Sequence, residues 1–354
     1  MRRVIIGVEQ LRQRIPGGIG TYTRGLLTGL AALRDPDFSF VRFASKGSRP
    51  DSLAEGDFPL VTSSLSHRLQ IRAWTWGLGS FPDDGDIAHL CSFAAPMGSK
   101  MPSTAMVHDV SWRRFPELTT ARGRRWHERQ LKRLLESSAT LLVPSTRVRD
   151  DLTDGGVSAH RITVIGEGAD HLPAPDRDAA RTLLAQHGIS AAFIICVATL
   201  EPRKNLVRLI EAHAKAQAQG LATPLVIVGP RGWGADLARE NTVVIEGHVS
   251  PDVLAGLYAE AALLAYVPVE EGFGLPPLEA LWQGTPVLAS TATPSVEGSK
   301  SVIVVDPLDI DAIARGLSDG IEQAAELAAG AHQAVQARTW RRVAEHHTAI
   351  WRSF

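Results

Sequence analysis

Two carboxylates carry the clearest chemistry in this sequence: Glu271 and Glu279, with seven residues between them, in the stretch YVPVEEGFGLPPLEALWQGTPVLAS from Tyr266 to Ser290. A β-type run ends at Val269, and Glu270 and Glu271 open a glycine-rich turn, Gly272-Phe273-Gly274. Pro276 and Pro277 suit the start of a helix, where a missing backbone N–H costs little. The pattern predicts Glu279 in the first turn of that helix, Gly284 as its stop and Pro286–Ser290 as the next extended run. A loop with exposed amides thus meets a helix N-terminus, with carboxylates at both ends of the turn. Such a site fits a sugar nucleotide. The amides of Gly272–Leu275 and the helix dipole attract a diphosphate, glycines let the backbone approach closely, and carboxylates accept hydrogen bonds from sugar hydroxyls. The plainer reading makes Glu279 a complement to the helix dipole and Glu271 a solvated loop residue; the surrounding EGFGLPPLEA favours the site.

A second block, Thr199-Leu-Glu-Pro-Arg-Lys-Asn205, follows a strand-like run and opens a helix. Arg203 and Lys204 there reach toward a diphosphate beside the Glu271 loop and neutralise its charge as it leaves. As mere surface cations at a helix start they would be electrostatically misplaced.

The Glu271–Glu279 spacing, EGFGLPPLEA and EPRKN together resemble glycosyltransferase family 4, retaining enzymes of the GT-B architecture, and look most like its mannosyl- or rhamnosyl-type branch. The resemblance implies a nucleotide diphosphate sugar as donor, GDP-mannose ahead of UDP- or dTDP-sugars, and a glycan or lipid-linked acceptor. It implies Glu271 on the sugar hydroxyls, Glu279 on the ribose, and Arg203 with Lys204 on the departing diphosphate. Many members carry a further arginine six residues before the lysine, where this chain has Ala198; that departure bears on how the phosphate contacts are shared. In Pro16-Gly-Gly-Ile-Gly-Thr-Tyr22, Gly18 and Gly20 match the family loop that lines the cleft between domains and meets donor phosphate and acceptor, with a helix beginning near Thr21. His108-Asp109 ends the fourth strand-like run, at the carboxyl edge where open α/β sheets place ligands. The family has a histidine there that contacts the transferred sugar, and Asp109 either orients that imidazole or caps the following loop. Gly229-Pro-Arg-Gly-Trp-Gly234 resembles the loop beside the nucleotide base, with Trp233 packing or binding, and Gly247-His248-Val249 resembles the segment that cradles the base.

The resemblance implies attack on the same face of the sugar, with the leaving phosphate accepting the proton and domain closure excluding water. No protein nucleophile is implied, and no cofactor or metal. Asp83-Asp84-Gly85-Asp86 looks like the metal-binding Asp-x-Asp of another glycosyltransferase fold but reads as a turn before a strand. The competing readings are a GT-B epimerase or phosphorylase and a non-catalytic nucleotide-sugar-binding protein.

The elements that must position these groups are short apolar runs without alternation, as parallel strands buried on both faces require. They form two sets. The first holds Val4–Val8, Phe40–Ser45, Asp86–Phe93, Thr104–Val110, Thr140–Ser145 and Ile162–Gly168. The second holds Ala192–Leu200, Pro224–Pro230, Asn241–Val249, Ala262–Pro268, Pro286–Ser290 and Val302–Pro307. Helical stretches between them, Asn205–Gln219 and Pro251–Ala261 included, argue for doubly wound α/β folding. The expected fold is α/β, two Rossmann-like domains with parallel sheets facing across a cleft. Residues 1–172 form the acceptor-side domain and 173–338 the nucleotide-sugar-binding domain. By resemblance, a helix at 339–354 crosses back onto the first. Pro-rich His171–Asp176 is the expected hinge.

A length of 354 residues suits two cores, and a net charge of −1 gives no bulk drive toward nucleic acid. Cys91 in LCSF and Cys196 in FIICVA read as buried reduced thiols. Arg2-Arg3 leads straight into a strand-like run rather than a signal peptide, and nothing approaches the roughly 18 apolar residues of a membrane span. A cytoplasmic protein is expected. Arg122–Leu135, RGRRWHERQLKRLL, reads as a basic amphipathic helix with Trp126. It is either an ordinary solvated face or, at Arg122–Arg133, a peripheral contact with anionic lipid at the inner face of the cell membrane, with Trp74 and Trp76 nearby. Family members acting on lipid-linked acceptors use the region in that way.

Overall fold

The computed structural model describes residues 1–47, 58–97, 99–232 and 242–354. It divides into two compact units, Met1–Gly168 with Thr339–Phe354, and Ala169–Arg338.

The first unit is built on a seven-stranded sheet in the order β3-β2-β1-β4-β5-β6-β7. Its strands are β1 (Arg2–Gly7), β2 (Phe38–Lys46), β3 (Leu60–Ser66), β4 (Ile87–Leu90), β5 (Ser103–Met106), β6 (Thr140–Val143) and β7 (Ile162–Val164). All neighbours are parallel. Central β1 buries Val4, Ile5 and Ile6 completely, which is why its sequence shows no polar alternation. The sequence runs missed β3. LVTSSLS lies at the sheet edge with one side largely in water, so it carries serines where an inner strand carries valines. The helices of this unit are α1 (Gly17–Leu33), α2 (His67–Thr75), the single turn α3 (Ser111–Arg114), α4 (Ala121–Glu136) and α5 (Thr146–Asp154).

The second unit carries six parallel strands in the order β10-β9-β8-β11-β12-β13. These are β8 (Ile194–Val197), β9 (Leu225–Gly229), β10 (Thr242–Glu246), β11 (Leu263–Tyr266), β12 (Val287–Ser290) and β13 (Val302–Val305). Its helices are α6 (Arg177–Gln186), α7 (Leu206–Ala218), α8 (Pro251–Glu260), α9 (Leu275–Trp282), α10 (Ile310–Glu322) and α11 (Ala324–Val335). In both sheets the chain order reverses at one place, between β1 and β4 and between β8 and β11. Loops leaving such a reversal diverge above and below the sheet, and the crevice at their carboxyl ends is where open α/β sheets bind ligands.

The last helix, α12 (Trp340–Arg352), belongs to the first unit and packs on α1. A Cβ on Gly25 would fall 2.1 Å from the Trp340 ring, and one on Gly29 2.1 Å from the Trp340 carbonyl oxygen, so this approach demands glycine at both positions. Trp340 and Trp351 are buried, and truncating either to alanine would cost about 3–5 kcal/mol.

The same contact encloses a polar chain with one self-consistent set of protons. His347 Nδ1 lies 2.8 Å from the Val343 carbonyl and therefore carries its proton, leaving Nε2 to accept from the Tyr22 hydroxyl at 2.9 Å. Tyr22 in turn accepts from His89 Nε2–H at 3.0 Å. His89 Nδ1 accepts from the Thr104 hydroxyl, which accepts from the Trp351 indole. Burial pushes the His347 imidazole down to about 4, lowers His89 well below its ordinary value and raises the Tyr22 phenol, so this chain is neutral at pH 7.

Cys91 and Cys196 are buried free thiols, both pushed up to about 12 by burial and hence unreactive. Among the described residues no helix is long and apolar enough to cross a membrane.

Candidate functional site

The loops leaving β8 and β11 meet at the chain reversal of the second sheet. After β8 the backbone forms a short 3-10 turn, Pro202–Lys204, and enters α7 through Asn205, whose φ of 61° is a left-handed conformation that asparagine tolerates. Asn205 Nδ2 donates to the carbonyls of Val267 and Pro307, and Val269 N donates to the Arg203 carbonyl, which ties the two loops together. Arg203 and Lys204 are thereby aimed at the loop after β11. Lys204 Nζ lies 2.5 Å from Glu271 Oε1, and Arg203 Nη1 lies 3.1 Å from Oε2. Arg203 also reaches the Glu270 carbonyl at 2.9 Å and Glu201 at 3.1 Å. Tyr266 closes the group, accepting from Lys204 and donating to Glu271, each at 3.0 Å.

Glu271 is therefore not the solvated loop residue of the plainer reading. Only 7% of it is exposed. Burial alone would raise its carboxyl, but the Arg203 and Lys204 charges and the hydrogen bonds from Lys204 and Tyr266 prevail and hold it at about 2. It is ionised at neutral pH and keeps two cations fixed in a crevice.

The glycine-rich turn follows immediately. Gly274 has a φ of 96°, and a side chain there would press on Thr293 as well as strain the backbone. Ser295 holds the turn from behind, its amide donating to the Phe273 carbonyl and its hydroxyl to the Gly274 carbonyl. The helix begins at Leu275 with Pro276 and Pro277 in its first turn. Gly272, Phe273, Gly274 and Leu275 thus form the entry to α9 beside the Arg203–Lys204–Glu271 group, a place where amides and cations together suit an anion.

Glu279 sits in the second turn of α9, not the first as the sequence suggested, because the helix starts one residue before the prolines. It is also buried. Its Oε1 accepts from His171 Nε2 at 2.8 Å and its Oε2 from the Tyr258 hydroxyl at 2.7 Å.

Two further glycines adjoin this region. Gly229 ends β9, where a Cβ would lie 2.0 Å from the Ala198 carbonyl oxygen; close packing of the strand ends explains this glycine without a ligand. Gly247 follows β10 with a φ of 131° and donates its amide to the Gly229 carbonyl, and space is open where its Cβ would stand. Trp233 and Gly234 lie outside the described residues.

In the first unit, Gly18 and Gly20 are not a loop preceding a helix near Thr21. They form the first turn of α1, which already starts at Gly17. Tyr22, one turn on, packs edge-on against His108 with ring centroids 4.9 Å apart. His108 lies two residues beyond β5, the fifth strand. Its Nε2–H donates to the Cys91 carbonyl at 2.9 Å, and Glu167, not Asp109, faces its Nδ1 at 3.5 Å. Asp109 caps the following turn by accepting from the amide and hydroxyl of Ser111. In the acidic turn, Asp84 pairs with the Arg3 side chain and Asp86 accepts from the Arg3 amide.

Arg122–Leu135 lies within α4, which Thr120 caps by accepting from the Gly123 amide. The helix buries Gln130, Leu131 and Leu134 and exposes Arg122, Arg124, Arg125, Arg129 and Lys132. Trp74 is core, not surface. Trp76 is 64% exposed and lies under the Arg129 guanidinium at 5.1 Å, beside an open groove of about 810 Å³ that Arg113, Lys132 and Arg133 also line.

Sequence reasoning passed over Tyr266, Tyr258, Glu201 and Glu167, and took His171 only as part of a hinge. The tyrosines sit inside apolar runs and look like packing; only the hydroxyl geometry shows otherwise.

Two family models match the chain: Glycosyltransferase Family 4 over residues 16–171 and Glycosyl transferases group 1 over residues 191–323. The O-antigen chain mannosyltransferase B of Escherichia coli is 27% identical over 350 residues, spanning 90% of this chain and 91% of that protein. The MMP alpha-(1->4)-mannosyltransferase of Mycolicibacterium hassiacum is 28% identical, spanning 73% of this chain and 66% of that protein. Among solved structures, Anabaena Alr3699/HepE in complex with UDP-glucose matches with a TM-score of 0.74 at 16% identity, covering 100% of both chains.

Proposed function

We propose that this chain, which belongs to glycosyltransferase family 4 and has the GT-B fold, moves a hexose, mannose foremost, from a nucleotide diphosphate sugar to a hydroxyl of a glycan or glycolipid, with retention of anomeric configuration. The observation that carries this reading is the meeting of Arg203, Lys204 and Glu271 at a chain reversal, directly before the N-terminus of α9. GDP-mannose leads as donor because two matched relatives are named mannosyltransferases. The sugar nucleotide held by HepE supports the donor class in general.

In the free protein Glu271 holds the two cations in place. The donor diphosphate then takes hydrogen bonds from Arg203, Lys204 and the amides of Gly272–Leu275, while Glu271 accepts from the sugar hydroxyls. Because the cations are already fixed, little reorganisation remains when the bond between sugar and phosphate breaks and charge gathers on the leaving oxygen. That oxygen accepts the proton of the attacking hydroxyl, so no protein nucleophile takes part. Glu279 holds the ribose, and Gly229 and Gly247 approach the base. Gly18, Gly20 and His108 are the N-terminal unit's candidates for contact with donor phosphate, acceptor and transferred sugar. Charge neutralisation by Arg203, Lys204 and helix amides leaves no requirement for a divalent ion. The protein works at the cytoplasmic side of the membrane, with the exposed basic face of α4 and Trp76 against anionic lipid.

A thermal-shift panel of nucleotide sugars tests the donor class. A ligand at a hundred times its Kd stabilises by about 2.7 kcal/mol, so GDP-mannose at saturation should raise the unfolding temperature measurably and mannose alone should not. A panel in which no sugar nucleotide shifts the transition would remove the reading.

A further inference from the structure

Glu279 is held more firmly than a dipole complement needs to be. Each carboxylate oxygen accepts one hydrogen bond inside the protein, Oε1 from His171 Nε2 at 2.8 Å and Oε2 from the Tyr258 hydroxyl at 2.7 Å. Tyr258 is fully buried on α8, so close packing holds its ring in place, and the Thr285 hydroxyl donates to its main-chain carbonyl at 2.5 Å. Burial and the adjacent carboxylate raise the Tyr258 phenol well above its ordinary value, so it stays protonated and keeps donating. A carboxylate oxygen has two lone pairs. With one on each oxygen engaged, the other pair on each oxygen is left in a direction set by His171 and Tyr258.

The position along α9 matters too. Glu279 lies four residues from Leu275, about 6 Å along the helix axis from the amides at its start. Roughly that distance separates the 5′-phosphate of a nucleotide from its ribose hydroxyls. Two parallel acceptor sites at that point match a vicinal diol, which a ribonucleotide presents and a 2′-deoxyribonucleotide does not.

We infer that His171 and Tyr258 are positioning residues that aim the Glu279 carboxylate at the 2′- and 3′-hydroxyls of the donor, making the site selective for ribonucleotide sugars over dTDP-sugars. The inference rests on the assignment of Glu279 to the ribose in the proposed function. It adds what holds the carboxylate and what that rigidity excludes.

Calorimetric titration tests it without any acceptor. The ligands are whichever of GDP and UDP binds tighter, its 2′,3′-dideoxy form, and dTDP. The wild-type protein should favour the ribonucleotide over the dideoxy form by about ten- to a hundredfold, the worth of hydrogen bonds to a charged group. dTDP should bind weakly as well. Glu279→Ala should abolish the preference. His171→Ala and Tyr258→Phe should each shrink it several-fold while leaving affinity for the dideoxy form unchanged, a combination that general damage to the fold does not produce. His171→Gln, whose amide can still donate, should restore much of it. If neither GDP nor UDP binds, or Glu279→Ala keeps the preference, the ribose assignment itself falls. If Glu279→Ala abolishes it while His171→Ala and Tyr258→Phe keep it in full, the positioning roles are wrong.

Discussion

Glu271→Gln removes one charge from a group that otherwise balances, and the structure sets the size of the effect. The Glu271 carboxyl is held at about 2 against an ordinary value of 4.5. That difference corresponds to about 3 kcal/mol of folding stability at neutral pH. The sign follows from the direction of the shift. A depressed carboxyl contributes fully above its unfolded value near 4.5 and loses the contribution as pH falls toward 2. Arg203 and Lys204 keep other partners, Glu201, the Glu270 carbonyl and Tyr266, which trims the cost of leaving them without Glu271 to about 2–3 kcal/mol. Urea unfolding of wild type and variant, followed by circular dichroism, should show that gap at pH 7 and less than half of it at pH 3. Turnover should fall about a hundredfold or more, since an electrostatic contact in the site is lost. A gap below about 0.5 kcal/mol, the size of an ordinary surface substitution, would mean that the ion group is not formed in solution. A gap that does not change with pH would point to lost packing.

Lys204→Ala should weaken binding of nucleoside diphosphate by about 1.5–3 kcal/mol and leave binding of the free nucleoside unchanged, measured by calorimetry. Equal losses for both ligands would take Lys204 out of the phosphate site. Transfer should survive EDTA, since Arg203 and Lys204 supply the neutralising charge. Loss restored by manganese would return the Asp83–Asp86 turn to consideration. Vesicles rich in anionic lipid should bind the protein in sedimentation assays, less so at high salt, and Arg124→Glu with Arg125→Glu should abolish the binding while sparing donor affinity. Binding that ignores lipid charge and this reversal would favour a soluble acceptor.

The apolar runs made the inner strands legible, because a strand buried on both faces has little choice but aliphatic residues. Edge strand β3 escaped for the converse reason: half of LVTSSLS faces water and its serines resemble a turn. Gly17–Gly20 looked like a loop because glycine weakens a helix, yet tight packing of α1 under Trp340 favours small residues further along the same helix. The burial of Glu271 was illegible from its neighbours in sequence. Its partners Arg203 and Lys204 stand more than sixty positions away, and only the parallel pairing of β8 with β11 brings the two loops together. Trp74 and Trp76 differ by two positions and end in opposite environments at the end of α2, which the motif WTW could not distinguish.

The central claim is hexose transfer from a sugar nucleotide. The most direct measurement incubates the protein with GDP-mannose and mannose-terminated glycan and glycolipid acceptors, and follows both products by mass spectrometry. One hexose should be gained by an acceptor for each nucleoside diphosphate released, and both rates should fall together, about a hundredfold or more, in Glu271→Gln. Tight binding of GDP-mannose with no hexose gained by any acceptor, or release of nucleoside diphosphate that ignores the acceptor, would contradict the assignment of this chain as a transferase.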